Sequence, residues 1–514
     1  MEKSSRYITT TLPYVNADPH IGFALEIIQA DALARYYRLM GHNVFFSTGT
    51  DEHGQKIFEK AKEQGEDVQA YVDRYAASFE RLRESLNLSY DAFIRTTAPH
   101  HEAAAQELWK RCLAQGDIYK KKYKGLYCVG CEKFLTEKDL VEGKCPLHTN
   151  QEPQEVEEEN YFFALSKYQR GLLDYLSKDS SVVPEVKREE ARRFVADGLE
   201  DFSISREKSR MPWGIPVPGD ESQVMYVWFD ALTNYISTLG WPTDEKGAFA
   251  IFWEQGTTLQ MAGKDQVRFQ SIMWQAMLMS ANVKTTDTVF YHGFINSGGQ
   301  KMSKSLGNVI SPFDMVEKYG TEATRYMLLR HVHPTEDTDI TWDRMDEWYT
   351  ADLVNGFGNL TSRILAMTEK AGISLEMAEM EWGKLFTLRQ QGKAWVHYNS
   401  EGGGGVAYVN DMPPCYLHYS GDHQFIFSAK LKEWQFQDSL FDVSIRAKLL
   451  DDFIAKTEVY RKESPDREEN LMRALLHLRD IAFSLEPFMP NTSKAITDAL
   501  VLNKKPENLF PRLA

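Results

Sequence analysis

Near the start of the chain, the pattern of apolar and polar residues predicts a strand, a helix and a second strand. The apolar runs Tyr7–Leu12 and Asn43–Ser47 have the length of buried strands. Residues 24–40 between them carry apolar side chains three or four positions apart, as on the buried face of a helix: Ile28, Ala32, Tyr36 and Leu39. The pattern therefore predicts a β-α-β unit, the repeating unit of a parallel sheet covered by helices.

Later segments extend this α/β pattern and then replace it with helices. Three further apolar runs predict buried parallel strands: Met225–Phe229, Leu259–Ala262 and Thr288–His292. Residues 55–115 and 312–329 have helical patterns, and the chain is helical again from Trp342 onward. We therefore expect an α/β domain with a parallel sheet followed by a helical domain.

Length, composition and charge restrict the class of protein. The 514 residues are enough for several domains, and 43% hydrophobic with 26% charged residues is typical of a soluble globular protein. The formal net charge of −15 argues against a general nucleic-acid coat, although a local basic face would still accommodate a nucleic acid. The sequence contains no apolar run of about 18 residues and no signal peptide, so we expect a cytoplasmic protein without a membrane segment.

A cluster of cysteines with a histidine has the spacing of a metal site. Two residues separate Cys128 from Cys131, and after thirteen further residues Cys145 and His148 form a second pair. Two such pairs complete the tetrahedral ligand shell of Zn²⁺ and leave no open position, which predicts one structural zinc ion per chain. The alternative is a reduced cluster without metal. The five cysteines do not indicate a secreted disulfide framework.

Two segments far apart in the sequence carry residues suited to binding phosphate. Pro19–Gly22 lies between the first predicted strand and its helix, where a helix N-terminus and a glycine let phosphate approach the backbone. The segment Lys301–Ser305 contains Lys301, Ser303 and Lys304 and is flanked by glycines, so a movable loop can place two ammonium groups on a polyanion. A solvated basic turn is the alternative for this second segment.

Together these two segments resemble the His-Ile-Gly-His and Lys-Met-Ser-Lys-Ser motifs of the class I aminoacyl-tRNA synthetases. The likeness extends to the methionyl-tRNA synthetase family, whose further motifs follow in the same order: Leu12–Tyr14, Gly49–Gly54, the cysteine segment near Cys128, Tyr226–Tyr235, Gly263–Asp265 and His292-Gly293. It covers most of residues 6–380 and of residues 432–514. The resemblance implies a Rossmann-like, doubly wound parallel-sheet catalytic domain with a zinc-knuckle insertion, followed by an α-helical anticodon-binding bundle.

The resemblance also divides the chain into segments. These are the first half of the catalytic fold at 1–115, the connective insertion with the zinc knuckle at 116–212, the second half of the catalytic fold at 213–295, the lysine loop and stem-contact region at 296–350, and the helical anticodon-binding domain at 351–514. Residues 385–426 of the last segment do not match the family, because they lack a helical period and contain four consecutive glycines. An inserted hairpin and a reading-frame error both remain open for this stretch.

The activity that the resemblance implies is ATP-dependent activation of methionine to methionyl-adenylate, followed by transfer to the 3′ end of tRNA(Met). The implied ATP-binding residues are His20, Gly22, Arg206, Lys301, Ser303 and Lys304, of which His20, Gly22, Lys301 and Lys304 serve catalysis and Mg²⁺ accompanies the ATP. The implied methionine-binding residues are Leu12, Tyr14, Asp51, Trp228, Leu232, Tyr235 and His292, with Asp51 on the ammonium group. The implied anticodon-binding residues are Asn359, Arg363 and Tyr460.

The chain departs from the family at several positions. Phe23 stands where the first motif has its second histidine, and we expect a lost contact rather than lost activity. Val459 and Tyr460 stand where the family has Pro-Trp, so Tyr460 either stacks weakly on an anticodon base or is an ordinary surface aromatic residue. Arg206 either contacts ATP or forms a salt bridge. No further C-terminal domain of the kind that dimerises some family members follows, so we expect a monomer.

Other functions share part of this pattern. A leucine, isoleucine or valine synthetase would need a large editing insertion, for which the zinc segment leaves little room. A nucleotidyltransferase that makes a small adenylated product would share both motifs but lack the helical domain. A zinc-containing RNA-binding protein without catalysis is the third alternative.

Overall fold

The computed structural model of this chain describes residues 4–128, 133–135, 140–141, 143–146, 152–244, 246–302, 308–378, 430–431, 433–506 and 508–513. The chain divides into two compact units, Met1–Phe294 and Ile295–Ala514. Over the described ranges, no helix combines the length and the apolar composition that crossing a membrane requires.

The first unit contains thirteen strands and ten α-helices among its described residues. The strands are β1 (Ser5–Thr9), β2 (Asn43–Thr50), β3 (Ala92–Arg95), β4 (Ile118–Cys128), β5 (Lys133–Leu135), β6 (Gln154–Phe163), β7 (Val182–Val183), β8 (Phe202–Ser203), β9 (Ser205–Glu207), β10 (Pro216–Val217), β11 (Asp220–Met225), β12 (Thr257–Gly263) and β13 (Thr288–His292). The helices are α1 (Ile21–Leu39), α2 (Gln55–Glu63), α3 (Val68–Glu80), α4 (Leu82–Ser85), α5 (Pro99–Ala114), α6 (Gln169–Leu176), α7 (Glu185–Ala196), α8 (Val227–Leu232), α9 (Asn234–Ser237) and α10 (Trp274–Ser280).

The main sheet of this unit has six strands, and each of its pairings is parallel. The strand order is β3-β2-β1-β12-β13-β7. The chain therefore builds from β1 to the β3 edge, next adds β7 at the opposite edge, and later fills the space between with β12 and β13. Helical connections on both sides of β1 are typical of a doubly wound α/β fold. The predicted β-α-β unit is confirmed, since β1 and β2 pair in parallel and α1 connects them.

Two smaller antiparallel sheets accompany the main sheet. One has the order β5-β4-β6-β8 and carries Cys128 at the end of β4, within the segment predicted to contain the zinc knuckle. The other has the order β10-β11-β9. Strand β7 lies inside the range 116–212 that was predicted as an insertion, yet it forms an edge of the main sheet.

One predicted strand of the main sheet is wrong. Strand β11 ends at Met225 and is antiparallel, and α8 begins at Val227, so the apolar run Met225–Phe229 is the junction of a strand and a helix. Periodicity cannot separate a short, fully buried helix from a buried strand, because both faces of either element are apolar. The strands predicted at 259–262 and 288–292 are confirmed as parts of β12 and β13.

The structure contains the predicted helices, but it differs from the prediction in three local features. Most of the predicted apolar face of α1 is buried, but Leu39 at its end is 38% exposed. The short edge strand β3 interrupts the stretch 55–115 that was predicted as helical. The predicted helix at 312–329 consists of two helices, because Gly320 between them has a φ of 83° that an L-residue rarely adopts.

The second unit, over its described residues, is a short three-stranded sheet with a set of helices. Its strands are β14 (Ile295–Ser297), β15 (Gln300–Lys301) and β16 (Thr338–Asp339) in the order β15-β14-β16. Its helices are α11 (Pro312–Tyr319), α12 (Thr321–His331), α13 (Trp342–Trp348), α14 (Asn359–Ala371), α15 (Phe436–Thr457), α16 (Arg467–Leu485) and α17 (Pro490–Leu502). The expected helical domain is confirmed for these residues, whereas the atypical stretch 385–426 lies outside the described residues.

Candidate active site

The order of strands in the main sheet indicates where a ligand would bind. The order reverses between β1 and β12, and open α/β sheets bind ligands beyond the carboxyl ends of the strands at such a reversal. Pro13 and Tyr14 follow β1, Asp51 follows β2, and Gly263 ends β12. Each of these residues lies in a motif found by sequence analysis, so the candidate active site lies at this edge of the sheet.

Tyr14 and Asp51, both predicted to bind methionine, are neighbours in the structure. They form an isolated parallel bridge just beyond β1 and β2. The Asp51 N–H donates to the Pro13 carbonyl at 3.0 Å, and the Val15 N–H donates to the Asp51 carbonyl at 3.2 Å. Leu12 beside them is half-buried. Because Asp51 is buried, its carboxylate favours a cationic partner such as an ammonium group.

Three further predicted methionine-binding residues come from α8 and α9. Trp228 stacks on Phe269 with ring centroids 3.8 Å apart and an interplanar angle of 14°. Leu232 and Tyr235 are buried in the main hydrophobic core of this unit. Tyr14 and Trp228 pack against the same core. The structure therefore brings predicted methionine-binding residues from both ends of the unit to one apolar core.

Phe269 and Gln270 were missed by the sequence analysis. Both lie in the π-helical segment Phe269–Met273, and such turns are rare and frequent at functional sites. Gln270 Nε2 donates a hydrogen bond of 2.5 Å to the hydroxyl of Tyr235. Burial raises the pKa of Tyr235, so this hydroxyl stays protonated. The only sequence signal was their position shortly after the Gly263–Asp265 motif.

His292 ends β13 and faces a buried carboxylate. Its Nε2 lies 2.9 Å from Glu26 Oε2, and its Nδ1 lies 2.7 Å from the Gly293 carbonyl oxygen. Glu26 also accepts hydrogen bonds of 2.6 Å from the N–H and the hydroxyl of Thr11. Burial lowers the pKa of His292, but the Glu26 carboxylate and the carbonyl raise it more. His292 therefore ties the sheet to α1, and its contact with methionine stays a prediction.

His20 caps the N-terminus of α1. Its Nδ1 accepts a hydrogen bond of 3.0 Å from the Gly22 N–H, which places the proton of a neutral ring on Nε2. A Cβ at Gly22 would lie 2.8 Å from His20 Cε1, so the arrangement requires glycine. Phe23 packs edge-on against Phe79 of α3, with centroids 5.4 Å apart. The exposed His20 ring can thus donate to a phosphate oxygen, while Phe23 belongs to the packing of the helices.

Arg206 lies on β9 and is almost fully buried. Its Nη1 donates to Ser203 Oγ at 2.9 Å and to the Ser205 carbonyl at 2.7 Å. Its guanidinium carbon lies 4.5 Å from the ring centroid of Tyr226. These contacts hold the guanidinium group against β8, β9 and Tyr226. The contact of Arg206 with ATP and the alternative salt bridge both stay predictions.

The lysine loop starts from a hairpin of the second unit. Strand β15 pairs with β14 through a turn in which Gly298 and Gly299 have φ values of 65° and 76°. The Gly299 N–H donates to Asp339 Oδ1 at 2.6 Å. Outside the described residues lie the Lys301 side chain, Ser303 and Lys304. Their contacts with ATP therefore stay predictions.

Half of the predicted zinc ligands can be located. Cys128 and Cys145 are 3% and 1% exposed and form one small cluster with Leu140. Two thiols buried side by side fit a metal knuckle. The other two predicted ligands, Cys131 and His148, lie outside the described residues. The part of the chain that the structure describes contains no group of three or more His, Cys, Asp or Glu side chains arranged to hold a metal ion.

The predicted anticodon-binding residues lie on α14 and just beyond α15. Asn359 and Arg363 lie one turn apart on α14, as expected. Arg363 forms an ion pair with Asp451 of α15. Tyr460 is 51% exposed and lies three residues after the end of α15, in a turn rather than on a helix. An exposed ring is available for stacking, and base recognition stays a prediction.

The doubly wound sheet with a histidine-glycine helix N-terminus at its strand reversal defines a nucleotide-binding α/β enzyme. A family model described as tRNA synthetases class I (M) matches residues 6–157 and 147–365. The chain therefore belongs to the class I tRNA synthetases, in the division that this model denotes by M.

Curated relatives and solved structures agree with this membership. A methionine–tRNA ligase of Thermosynechococcus vestitus is 47% identical over 368 residues, which are 71% of this chain and 69% of the relative. A methionine–tRNA ligase of Fusobacterium nucleatum is 35% identical over 518 residues, which cover 99% of this chain and 76% of the relative. The structure of Mycobacterium tuberculosis methionyl-tRNA synthetase in complex with methionyl-adenylate covers 99% of both chains at 31% identity and a TM-score of 0.81.

Proposed function

We propose that this chain activates methionine with ATP to methionyl-adenylate and transfers the methionyl group to the 3′ end of tRNA(Met), for both initiation and elongation. The observation that carries the proposal is the Tyr14–Asp51 bridge, which lies at the strand reversal of a class I tRNA synthetase fold. The relatives named methionine–tRNA ligase support methionine as the amino acid.

Methionine needs a carboxylate for its ammonium group and an apolar slot for its thioether. Asp51 supplies a buried carboxylate, and Trp228 and Tyr235 supply aromatic walls. Sulfur gains from contacts with aromatic rings, so such walls favour methionine over an aliphatic side chain of similar length. The amino acid is thereby held with its carboxylate directed to the nucleotide.

Adenylate formation is an in-line attack of the methionine carboxylate on the α-phosphate of ATP, with pyrophosphate as the leaving group. Such a reaction depends on positioning and on neutralising charge. The Nε2–H of His20 donates to a phosphate oxygen, and Lys301 and Lys304 stabilise the charge that develops on pyrophosphate. Mg²⁺ accompanies the ATP and neutralises phosphate charge. A ribose hydroxyl of the tRNA end then attacks the methionyl carbonyl carbon and releases AMP.

The test is ATP–pyrophosphate exchange with each of the twenty amino acids, followed by aminoacylation of tRNA(Met). We expect exchange with methionine and no comparable exchange with leucine, isoleucine or valine. If only an amino acid other than methionine supports exchange, the chain is a synthetase for that amino acid. Exchange without aminoacylation would favour a nucleotidyltransferase, and no exchange at all would favour an RNA-binding protein.

The zinc site belongs to the same proposal. The burial of Cys128 together with Cys145 supports a knuckle completed by Cys131 and His148. A bound zinc ion would hold the ends of its hairpins together and would not take part in the reaction. The monomeric state and the cytoplasmic location expected from the sequence stay predictions.

A further inference from the structure

A buried chain of polar side chains lies behind the candidate methionine slot. Asp230 of α8 is fully buried, and each of its carboxylate oxygens contacts a different histidine. Asp230 Oδ2 lies 2.7 Å from His53 Nδ1, and Asp230 Oδ1 lies 2.7 Å from His101 Nε2. His101 Nδ1 lies 2.8 Å from Ser237 Oγ. We refer to His53, Asp230, His101 and Ser237 as the Asp230 network.

The network joins elements that are distant in the sequence. His53 follows β2, His101 lies in the first turn of α5, Asp230 lies on α8 and Ser237 ends α9. The ring of His53 also lies 5.6 Å from that of Trp213, centroid to centroid. These contacts fix the end of β2, α5 and the two short helices to one another.

Three members of the network lie two residues away from a residue of the candidate slot. His53 is two residues after Asp51, Asp230 is two residues after Trp228, and Ser237 is two residues after Tyr235. A change in the network therefore moves backbone that carries the ammonium ligand and both aromatic walls. His101 is the exception, since it lies on α5 and connects the other members.

Electrostatics favours an ionised Asp230. Burial raises the pKa of Asp230, but the two histidines lower it more, and the pKa of His53 is raised by Asp230 despite burial. A buried carboxylate without such partners would be energetically unfavourable, because its charge would be desolvated and unpaired. The charge of Asp230 therefore holds both histidines in place. Glu102, next to His101, also faces this cluster, and burial raises its pKa.

We propose that the Asp230 network is a positioning device that sets the distance between Asp51 and the Trp228 and Tyr235 walls, and thereby the selectivity for methionine, without touching the substrate. This inference rests on the proposed methionine activation. Within it, Asp230 is a positioning residue, because its carboxylate acts through the two histidines and two short helices.

The decisive variant is Asp230→Asn, which keeps the size of the side chain and removes the charge. We expect the methionine KM in pyrophosphate exchange to rise about tenfold or more, with the ATP KM changed by less than about twofold, because misplaced slot residues weaken one substrate only. Preference for methionine over ethionine, which is one methylene longer, should fall about fivefold, since one methylene is worth about 10- to 200-fold in a well-fitted pocket.

A matched control separates positioning from general stabilisation. Asp117 is also buried, and it accepts hydrogen bonds from Lys167 at 2.9 Å, Ser280 at 2.8 Å and the Tyr168 hydroxyl. Asp117→Asn should lower Tm but leave the methionine KM and the methionine-to-ethionine ratio unchanged. Loss of folded protein lowers the apparent kcat of a preparation and does not change its KM.

The milder variant Ser237→Ala keeps the test decisive if Asp230→Asn does not fold. It should shift the methionine KM and the ethionine ratio in the same direction by a smaller factor. Unchanged values in Ser237→Ala and in every folded Asp230 variant, with Tm lowered as in Asp117→Asn, would overturn the proposal. If the wild-type protein is inactive with methionine, the result would instead contradict the proposed function and, with it, this inference.

Discussion

The role of a histidine in this protein depends on the hydrogen-bond partners of its two ring nitrogens. His292 shows this, because each ring nitrogen faces an oxygen acceptor, Glu26 on one side and the Gly293 carbonyl on the other. His20 shows the opposite arrangement, because its Nδ1 accepts from Gly22 and its proton therefore sits on Nε2. The same residue type thus links two buried elements at one place and serves as a directional donor at another.

The His292–Glu26 pair makes the stability of the protein depend on pH. The folded-state pKa of His292 is raised above its ordinary value of 6.5, so its contribution is fully present below about pH 6.5 and is lost as pH rises through the folded pKa. Each unit of raised pKa corresponds to about 1.4 kcal/mol. We expect the free energy of unfolding of wild type to exceed that of His292→Asn most at low pH, with the difference shrinking at higher pH.

Denaturant unfolding from pH 6 to pH 9 measures this difference. Glu26→Gln is the companion variant, since it removes the carboxylate that raises the pKa and should flatten the same part of the profile. A difference between wild type and His292→Asn that stays constant over the whole range would show that His292 is neutral in the folded protein.

At the scale of elements, the lysine loop begins at the end of strand β15, and we propose that its function depends on two ammonium groups. We expect Lys304→Ala to lower kcat of pyrophosphate exchange by about a hundredfold or more, since a charge aimed at the leaving group acts in the transition state. The methionine Kd should change little. Steady-state exchange and equilibrium methionine binding measure the two quantities, with Lys318→Ala on α11 as a control that should retain full kcat. A normal kcat in Lys304→Ala would indicate that the segment is only a surface turn.

The predicted zinc knuckle is a second element whose role can be isolated. Cys145→Ser should release the metal and loosen the strands near Cys128, while the parallel sheet still folds. Cys112→Ser is a suitable control, because Cys112 lies on α5, buried and outside the predicted ligand set. Metal analysis should give one zinc per chain for wild type and for Cys112→Ser. Stoichiometric zinc in Cys145→Ser would contradict the assigned ligands.

Helix α1 was predicted because its apolar period and its length are distinct. Continuous apolar runs predicted strands β12 and β13 correctly, but the same signal failed at residues 225–229, because a short buried helix gives it too. Residues 225–229 were assigned to a strand, since a helix of six residues that is buried on all sides has no polar face to reveal its period. Phe269 and Gln270 were missed for a related reason: their role depends on contacts with Trp228 and Tyr235, which sequence order does not encode.

At the scale of the whole molecule, the proposed anticodon-binding residues all lie in the second compact unit, whereas the proposed methionine-binding residues all lie in the first. Tyr460→Ala should therefore weaken tRNA binding by about 1–3 kcal/mol, the usual range for one stacked base. Methionine activation without tRNA should be unchanged. Aminoacylation KM values for tRNA with a CAU anticodon and with an altered anticodon, in wild type and variant, measure the effect. Equal anticodon discrimination by both proteins would mean that Tyr460 does not read the anticodon.

The pairing of β1 with β12 also has a consequence for biosynthesis. Tyr7 lies beside Thr258 in this sheet, so these paired residues are 251 positions apart in the sequence (258 − 7). Strand β1 is therefore synthesised long before β12. Contacts between residues so far apart in the sequence form slowly, because the entropy cost of closing a long loop comes before the contacts stabilise the chain. A nascent chain on the ribosome can complete β1, α1 and β2 early, yet β1 has no partner on its other side until the residues of β12 have emerged. We expect chains truncated before that point to carry the His20 helix and Asp51 without the completed sheet that positions them.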